Sequence, residues 1–440
     1  MDKQSQETAL AIEPELNPIV AIPYATGVYS IAFTRGWKWM FTGGEDGFVR
    51  KFDFHGSVEG RAQLTVAQRH ALADSIQFNG LLCSYWENET PVHRGEPGHI
   101  SPVYSIAAGS EGRWILTGHD SGAITLQTVR SCEGAVQWFF DGHNSAVSSL
   151  VLQEVDKKFL SGSWDSTVRE WDLDRGECIR VFGRMSGQIS AIEYRPESSE
   201  VVEVEVKPDE PEVNEGGSDD VDSLFSEEEE DEEDGKETKG EDDDPSAAIT
   251  AAATTTKDPE MRSLASRDIF LVATIDGTVG VWDGRVGGSA SRPVVEFAQR
   301  AVSGPWCMSA CWSTLGTSIF AGRRNCTVEE YDIRAPNTVQ RTLKFPSGSG
   351  PVSCVQPLDS KHLLCASHDN IRLYDLATSN SGGGGESGDG RVPFTIVPGH
   401  SGGMVSAMAV DPSGRFVVAA SGNRGWAGRH AEYVYVYEVQ

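Results

Sequence analysis

Short apolar runs alternate with glycine-rich turns along most of the chain, and the stretch 141–173 shows the unit most fully. It reads Asp141-Gly142-His143, then the run Ala146 to Val151, then Lys158-Phe159-Leu160-Ser161-Gly162, then Asp165, then Val168-Arg169-Glu170-Trp171-Asp172. Within each run apolar and polar positions alternate, and β-branched and aromatic types are frequent. That pattern predicts strands separated by tight turns. Gly27 to Asp53 follows the same order, with Val28 to Phe33, then Thr42 to Gly47, then Val49 to Asp53. Further copies open at Gly98-His99 and Gly399-His400. Others end at Trp282-Asp283, Tyr331-Asp332 and Tyr374-Asp375.

The last strand of each copy ends on one slot: Phe52, Gln127, Trp171, Trp282, Tyr331, Tyr374 and Tyr437, spaced 75, 44, 111, 49, 43 and 63 residues apart. A four-stranded propeller blade needs about 40–45 residues. The three long gaps contain insertions at 57–97, at 197–265, and at the Gly-rich 381–390 with a long turn at 422–432. The sequence thus resembles the WD-repeat family. The copy at 141–173 carries that family's hydrogen-bond tetrad, His143, Ser161, Asp165 and Trp171. The resemblance implies an all-β fold, a seven-bladed WD-repeat β-propeller, over 18–440. Other copies keep parts of the tetrad: Ser121 stands in the Asp slot of the second, Asn325 in that of the fifth, and the sixth turn (His368, Asp369) is one residue short. Asp46 and Asp276 are read as structural turn residues.

The last copy ends after its third strand. Residues 18–25, with the apolar run Ile19-Val20-Ala21-Ile22, are expected to supply the closing strand and remove an open sheet edge. Residues 1–17 are expected to be a disordered N-terminus and 380–392 a flexible loop. In the first insertion, Leu64, Ala67, Ala71, Leu72 and Ile76 lie at helical spacing, which predicts an amphipathic helix over 62–77 within a helical insertion at 57–80, followed by an outer strand at 81–87. That segment reads equally as a decorated loop and as a partner-docking element.

Charge concentrates in one place. The 440 residues carry a net charge of −28, and 197–244 hold 24 acids against three lysines, leaving −7 for the rest. The 197–265 segment is too charged and too poor in aromatics to fold alone, so it is expected to be an acidic disordered insertion in the fourth blade. Inside it Leu224 and Phe225 precede eight consecutive acids, Glu227, Glu228, Glu229, Glu230, Asp231, Glu232, Glu233 and Asp234. The plain reading is a solubilising segment. The functional reading is a partner-binding segment for a basic surface, with Leu224 and Phe225 as anchors. The mildly acidic remainder argues against phosphate contacts, hence against direct sequence-specific nucleic-acid binding.

Several chemistries are not expected. No run approaches the roughly 20 apolar residues a membrane span needs, and the N-terminal residues lack a signal core. The eight cysteines suit a reducing compartment, and Cys307 and Cys311 lack the further pair a zinc site needs. Neither a nucleophile elbow nor a phosphate loop nor a metalloprotease motif appears, so no catalytic residue, metal or cofactor is expected.

A narrower resemblance rests on the first copy's Gly44 to Asp53, the 57–97 insertion with Ser84-Tyr85-Trp86-Glu87-Asn88-Glu89, and the acidic insert containing Asp222-Ser223-Leu224-Phe225. Together these resemble the WD-repeat subunit of SAGA, the fungal transcriptional coactivator complex. The resemblance implies a nuclear, non-enzymatic scaffold in transcription regulation. It would be monomeric within a hetero-complex, binding TATA-binding protein and other coactivator subunits. Members of that family carry much of their acid in a long N-terminal tail, whereas here it sits in the insert. An alternative starts from Trp282-Asp283-Gly284-Arg285 and Tyr331-Asp332-Ile333-Arg334, which resemble the Trp-Asp-x-Arg box of cullin-type ubiquitin ligase substrate receptors. A histone-tail reader using an acidic rim is a third reading, which Arg323 and Arg324 do not favour.

Overall fold

The computed structural model describes residues 14–440 apart from 91–97, 207–259, 298–305 and 378–391, and shorter gaps at 70–71, 73–74, 154–155, 184, 198, 200, 265–266, 287–291, 401, 426–428, 430 and 432. The described strands form seven four-stranded antiparallel sheets and one two-stranded sheet. Blade 1 consists of Val28–Phe33, Trp39–Gly44, Phe48–Asp53 and Leu81–Glu87. Blade 2 holds Ser105–Ala108, Trp114–Gly118, Ile124–Thr128 and Val136–Phe140. Blade 3 holds Val147–Leu152, Lys158–Ser163, Val168–Asp172 and Glu177–Phe182. Blade 4 takes Ile189–Tyr194, then, beyond the insert, Ile269–Thr274, Val279–Asp283 and the short Val295–Glu296. Blades 5 and 6 begin at Cys307–Trp312 and Cys354–Pro357 and end at Val339–Lys344 and Phe394–Val397. Innermost strands touch in succession from blade 1 to blade 7 and back to blade 1, which closes the ring of a seven-bladed β-propeller.

Blade 7 is built from both ends of the chain. Val405–Val410, Phe416–Ser421 and Tyr433–Val439 are joined by Leu16–Pro23, which pairs antiparallel with the last of them from Leu16 opposite Val439 to Pro23 opposite Tyr433. The strand thus starts two residues before the expected 18–25, and Leu16 and Asn17 belong to it rather than to a disordered terminus. Leu16, Val20 and Ala21 are buried, so the apolar pattern begins at Leu16.

Most of the core lies between adjacent blades. Leu116, Ile124 and Phe140 of blade 2 pack against Val147, Phe159 and Trp171 of blade 3. Phe140 meets Phe159 edge-on at 5.0 Å. Inner-strand serines bind the seams. Ser105 Oγ donates to Val147 O (2.7 Å), Ser148 Oγ to Ile189 O (2.6 Å) and Ser406 Oγ to Val28 O (2.5 Å). Ser30, Ser309 and Ser353 accept from the N–H of Ile106, Val355 and Val405 in the next blade. Each bond satisfies a backbone group that the narrow centre of the ring would leave unpaired.

The first insertion differs from the predicted helix. Among the described residues of this region, α-helix occurs only as single turns at Phe54–Val58 and Val66–Arg69. Asp53 caps the first through the Gly56 N–H (3.0 Å). The helical spacing of Leu64 and Ile76 has another cause: both are core residues, packed with Leu16, Ala21 and Tyr437 of blade 7. The Ala21 N–H donates to Phe78 O (3.1 Å), so the extended backbone at Phe78 covers the closing strand. Val66 is 87% exposed, which leaves the intervening turn little to bury against.

Candidate functional site

Two features could carry function: the polar pins that fix the blades, and the root of the acidic insert. In blade 3, Ser161 and Trp171 lie on adjacent strands, while His143 and Asp165 come from the loops at one end. Trp171 Nε1–H donates to Ser161 Oγ (2.7 Å), and Ser161 Oγ lies 2.7 Å from His143 Nε2. His143 Nδ1 lies 3.0 Å from Asp165 Oδ2. The ordered chain has Ser161 O–H donating to Nε2 and Nδ1–H donating to the carboxylate, a proton placement assigned from the network. Burial lowers the His143 pKa despite the nearby carboxylate, which keeps the ring neutral. Burial pushes Asp165 the other way, but bonds from His143, Thr167 and the Asn144 N–H outweigh it and hold the carboxyl well below the usual carboxylate range.

Other blades fill the same place with different chemistry. In blade 2, Gln127 accepts from Trp86 Nε1–H of blade 1 (2.7 Å). Its Nε2 donates to Asn88 Oδ1 (3.1 Å), Thr117 Oγ1 (3.0 Å) and Thr125 Oγ1 (2.9 Å). His119 Nε2 reaches Thr125 Oγ1 at 3.0 Å, and burial lowers its pKa to about 4. Blade 5 buries an ion pair. Arg323 donates to Glu329 Oε2 (2.8 Å), to Tyr331 Oη (2.9 Å) and across the seam to Gly277 O of blade 4 (2.6 Å). It is 1% exposed, so it forms no part of a rim. In blade 6, Arg372 Nη2 donates to Asp369 (2.9 Å) and Ser349 Oγ (3.0 Å), and its guanidinium lies 4.4 Å from the Phe345 ring centre. The sequence singled out only the blade 3 set. A polar residue in an aromatic slot, Gln127, was the available sign of the blade 2 network.

The turn aspartates anchor backbone. Asp46 Oδ1 accepts from the Phe48 N–H (3.1 Å) and pairs with Arg50. Asp276 accepts from the Thr278 N–H (3.3 Å) and from Thr274 Oγ1. Arg285 donates to Asp283 (2.9 and 2.6 Å) and Arg334 to Asp332 (3.0 and 2.9 Å), so each guanidinium of the two boxes is held by the aspartate of its own box. Among the described residues no group of His, Cys, Asp or Glu converges as a metal site. No described helix is long and apolar enough to cross a membrane. All eight cysteines are free.

The insert leaves blade 4 between its first and second strands. Val202–Val206 and Glu260–Leu264 pair as the two-stranded sheet at its root, which corrects the expectation that the whole of 197–265 lacks structure. Val202, Val204 and Leu264 are buried there, so the apolar alternation of 202–206 makes a strand despite the acids between them. Arg195 Nε donates to Gly316 O of blade 5 (2.8 Å), and its Nη1 donates to Leu264 O. Leu224, Phe225, Glu227, Glu228, Glu229, Glu230, Asp231, Glu232, Glu233 and Asp234 lie outside the described residues, as do 1–13 and most of the 380–392 loop.

Comparison with known proteins agrees with this geometry. Residues 15–440 match the family model described as the SPT8 β-propeller, a span that starts within a residue of the closing strand. The chain is 40% identical over 455 aligned positions to the SAGA complex subunit Spt8 of Schizosaccharomyces pombe, covering 100% of this chain and 82% of that protein. It is 38% identical over 436 positions to the SAGA complex subunit SPT8 of Saccharomyces cerevisiae, covering 96% of this chain and 72% of that one. A human F-box and WD repeat domain containing protein 10B matches at 43% over only 54 residues, 12% of this chain. A match that includes the closing strand, the split fourth blade and every seam makes this chain a member of the SPT8 β-propeller family.

Proposed function

We propose that this protein is a non-catalytic scaffold of a SAGA-type transcriptional coactivator complex in the nucleus, and that it binds TATA-binding protein and regulates its delivery to promoters. The observation that carries the first part is the near-complete alignment to two proteins named as SAGA subunits. A ring whose buried polar sets around Ser161, Gln127, Arg323 and Arg372 brace its strands suits a platform for partners.

The second part rests on charge. TATA-binding protein presents a basic surface to DNA. The acidic run at 197–244, with its net −21, can occupy that surface as a phosphate mimic, with Leu224 and Phe225 filling apolar gaps. The affinity then falls as salt rises, because screening at 0.15 M acts within about 8 Å.

The test is affinity purification of the tagged full chain from cells with mass spectrometry at low and moderate salt, alongside a chain lacking 218–244. Coactivator subunits are expected in every sample. TATA-binding protein is expected to be lost at moderate salt and from the deletion. Binding that survives the deletion sinks the mimic, and recovery of a cullin adaptor in place of coactivator subunits sinks the scaffold reading.

A further inference from the structure

The outer rim between blades 1 and 2 holds an open groove of about 420 Å³. Phe48, Tyr85 and Val136 form its apolar wall, and Glu87, Glu89 and Glu133 stand around it. Tyr85 is 64% exposed and Val136 46%, so the wall is open to solvent. Glu133 is held by Lys51 (2.7 Å), whereas no cation among the described residues pairs with Glu87 or Glu89. The groove adjoins Val136–Phe140, the edge strand of blade 2, whose Trp138 and Phe139 are 52% and 49% exposed. Four consecutive exposed residues on that strand, three of them apolar, contrast with the alternation along the outer strand of blade 3.

We infer that this groove and edge receive an extended segment of another protein in which lysines or arginines alternate with aliphatic side chains. The reasoning is chemical. Among the described residues no further strand lies beside Val136–Phe140, and the edge strand of a sheet offers backbone donors and acceptors in the register of an added strand. The apolar wall takes aliphatic side chains on one side of that strand. The carboxylates of Glu87 and Glu89 take cations from the other and repel nucleic acid and acidic peptides. The inference does not depend on the acidic insert, and its test separates the two.

The probe is a fluorescein-labelled peptide alternating lysine and isoleucine. Its control has glutamate in place of lysine. Binding to the purified full chain is read by anisotropy, and the bound region by hydrogen exchange. The lysine peptide is expected to bind and to protect 81–89 and 136–140. E87Q/E89Q should weaken it about fivefold, as for two rim charge pairs. V136D should weaken it by about tenfold or more, as for a truncated anchor. Both variants should keep the wild-type circular dichroism. Protection confined to 207–259 overturns the inference, because the peptide then reads only the insert's charge. Undiminished binding by E87Q/E89Q, or equal binding of the glutamate peptide, overturns it as well. A dimer in sedimentation that V136D dissolves would make the groove a contact between copies of this chain, and equally overturn it.

Discussion

Removing one hydroxyl from the middle of blade 3 tests whether the polar pins stabilise the ring. Ser161 is completely buried, and its Oγ holds both the Trp171 indole N–H and His143 Nε2 at 2.7 Å. In Ser161→Ala both partners keep their burial and lose their bond. A buried polar group left unsatisfied costs about 1–3 kcal/mol, so the loss should be about 2–5 kcal/mol, allowing for coupling between the two. The small volume removed adds about 1 kcal/mol at most, since the change deletes a single oxygen. Urea unfolding followed by tryptophan fluorescence measures the loss, with coincident circular dichroism curves as the check on two-state behaviour. The decisive step is a double-mutant cycle with Trp171→Phe, which removes the indole donor. In that background Ser161→Ala should cost about 1–2 kcal/mol less, because only His143 remains to be stranded. A loss below about 0.5 kcal/mol for the single change, or strict additivity in the cycle, would refute the reasoning.

The other predictions concern charge. Burial lowers the His119 pKa from 6.5 to about 4, so neutral His119 contributes stability that is fully present above pH 6.5 and is lost as pH falls through 4. His119→Asn should flatten the stability profile between those values by about 3 kcal/mol, read from denaturation midpoints at pH 7 and 4. Glu193 behaves oppositely. Burial raises its pKa to about 7, against the bond from the Trp312 N–H, so its contribution is present below pH 4.5 and lost as pH rises through 7. Glu193→Gln should therefore gain on the wild type as pH rises from 4.5 to 7, and an unchanged difference across that range would count against it. Arg323→Met removes the buried cation that pairs with Glu329, which keeps the bond from the Tyr331 hydroxyl (2.6 Å), and should cost about 3–5 kcal/mol in thermal or urea unfolding, while Arg323→Met with Glu329→Gln should recover part of it.

Much of the architecture was legible in the sequence because each blade repeats one solution to one problem. Strands from Val28 onward show alternation, and the slot residues from Phe52 to Tyr437 mark the third strand of each blade. The polar pins were legible only where they follow the family pattern, at His143, Ser161, Asp165 and Trp171. Gln127 recruits Asn88 from beyond the outer strand of blade 1 and Thr117 from its own blade, partners 39 and 10 residues away. Such a set leaves no local signature. The helix over 62–77 failed for a related reason. Leu64 and Ile76 are buried by contacts with Leu16 and Tyr437, far away in sequence, and that burial mimics helical spacing. The root of the insert was missed because Glu203 and Glu205 obscure the strand alternation of Val202, Val204 and Val206.

The seam between blades 4 and 5 ties these features together. At the other six seams an inner-strand serine meets the backbone of the neighbouring blade. Ser190, the blade 4 counterpart, instead donates to Ala273 O within its own sheet (3.1 Å). The bonds across this seam come from larger groups. Glu193 accepts from the Trp312 N–H (2.9 Å), Trp312 Nε1–H reaches Glu193 O (3.3 Å), Arg323 crosses to Gly277 O, and Arg195 crosses to Gly316 O. Arg424, from the last blade, adds its guanidinium to Ser148 O (3.1 Å) and Ser190 O (2.9 Å), bracing the inner strands of blades 3 and 4 from the centre. This is also where the insert departs, between Tyr194 and Ile269, with Arg195 as the first residue past the strand. An insertion that splits the first strand of a blade from its second lengthens the loop that folding must close, at a cost that grows only logarithmically with length. The polar bonds that cross this seam lie at the point where that cost arises.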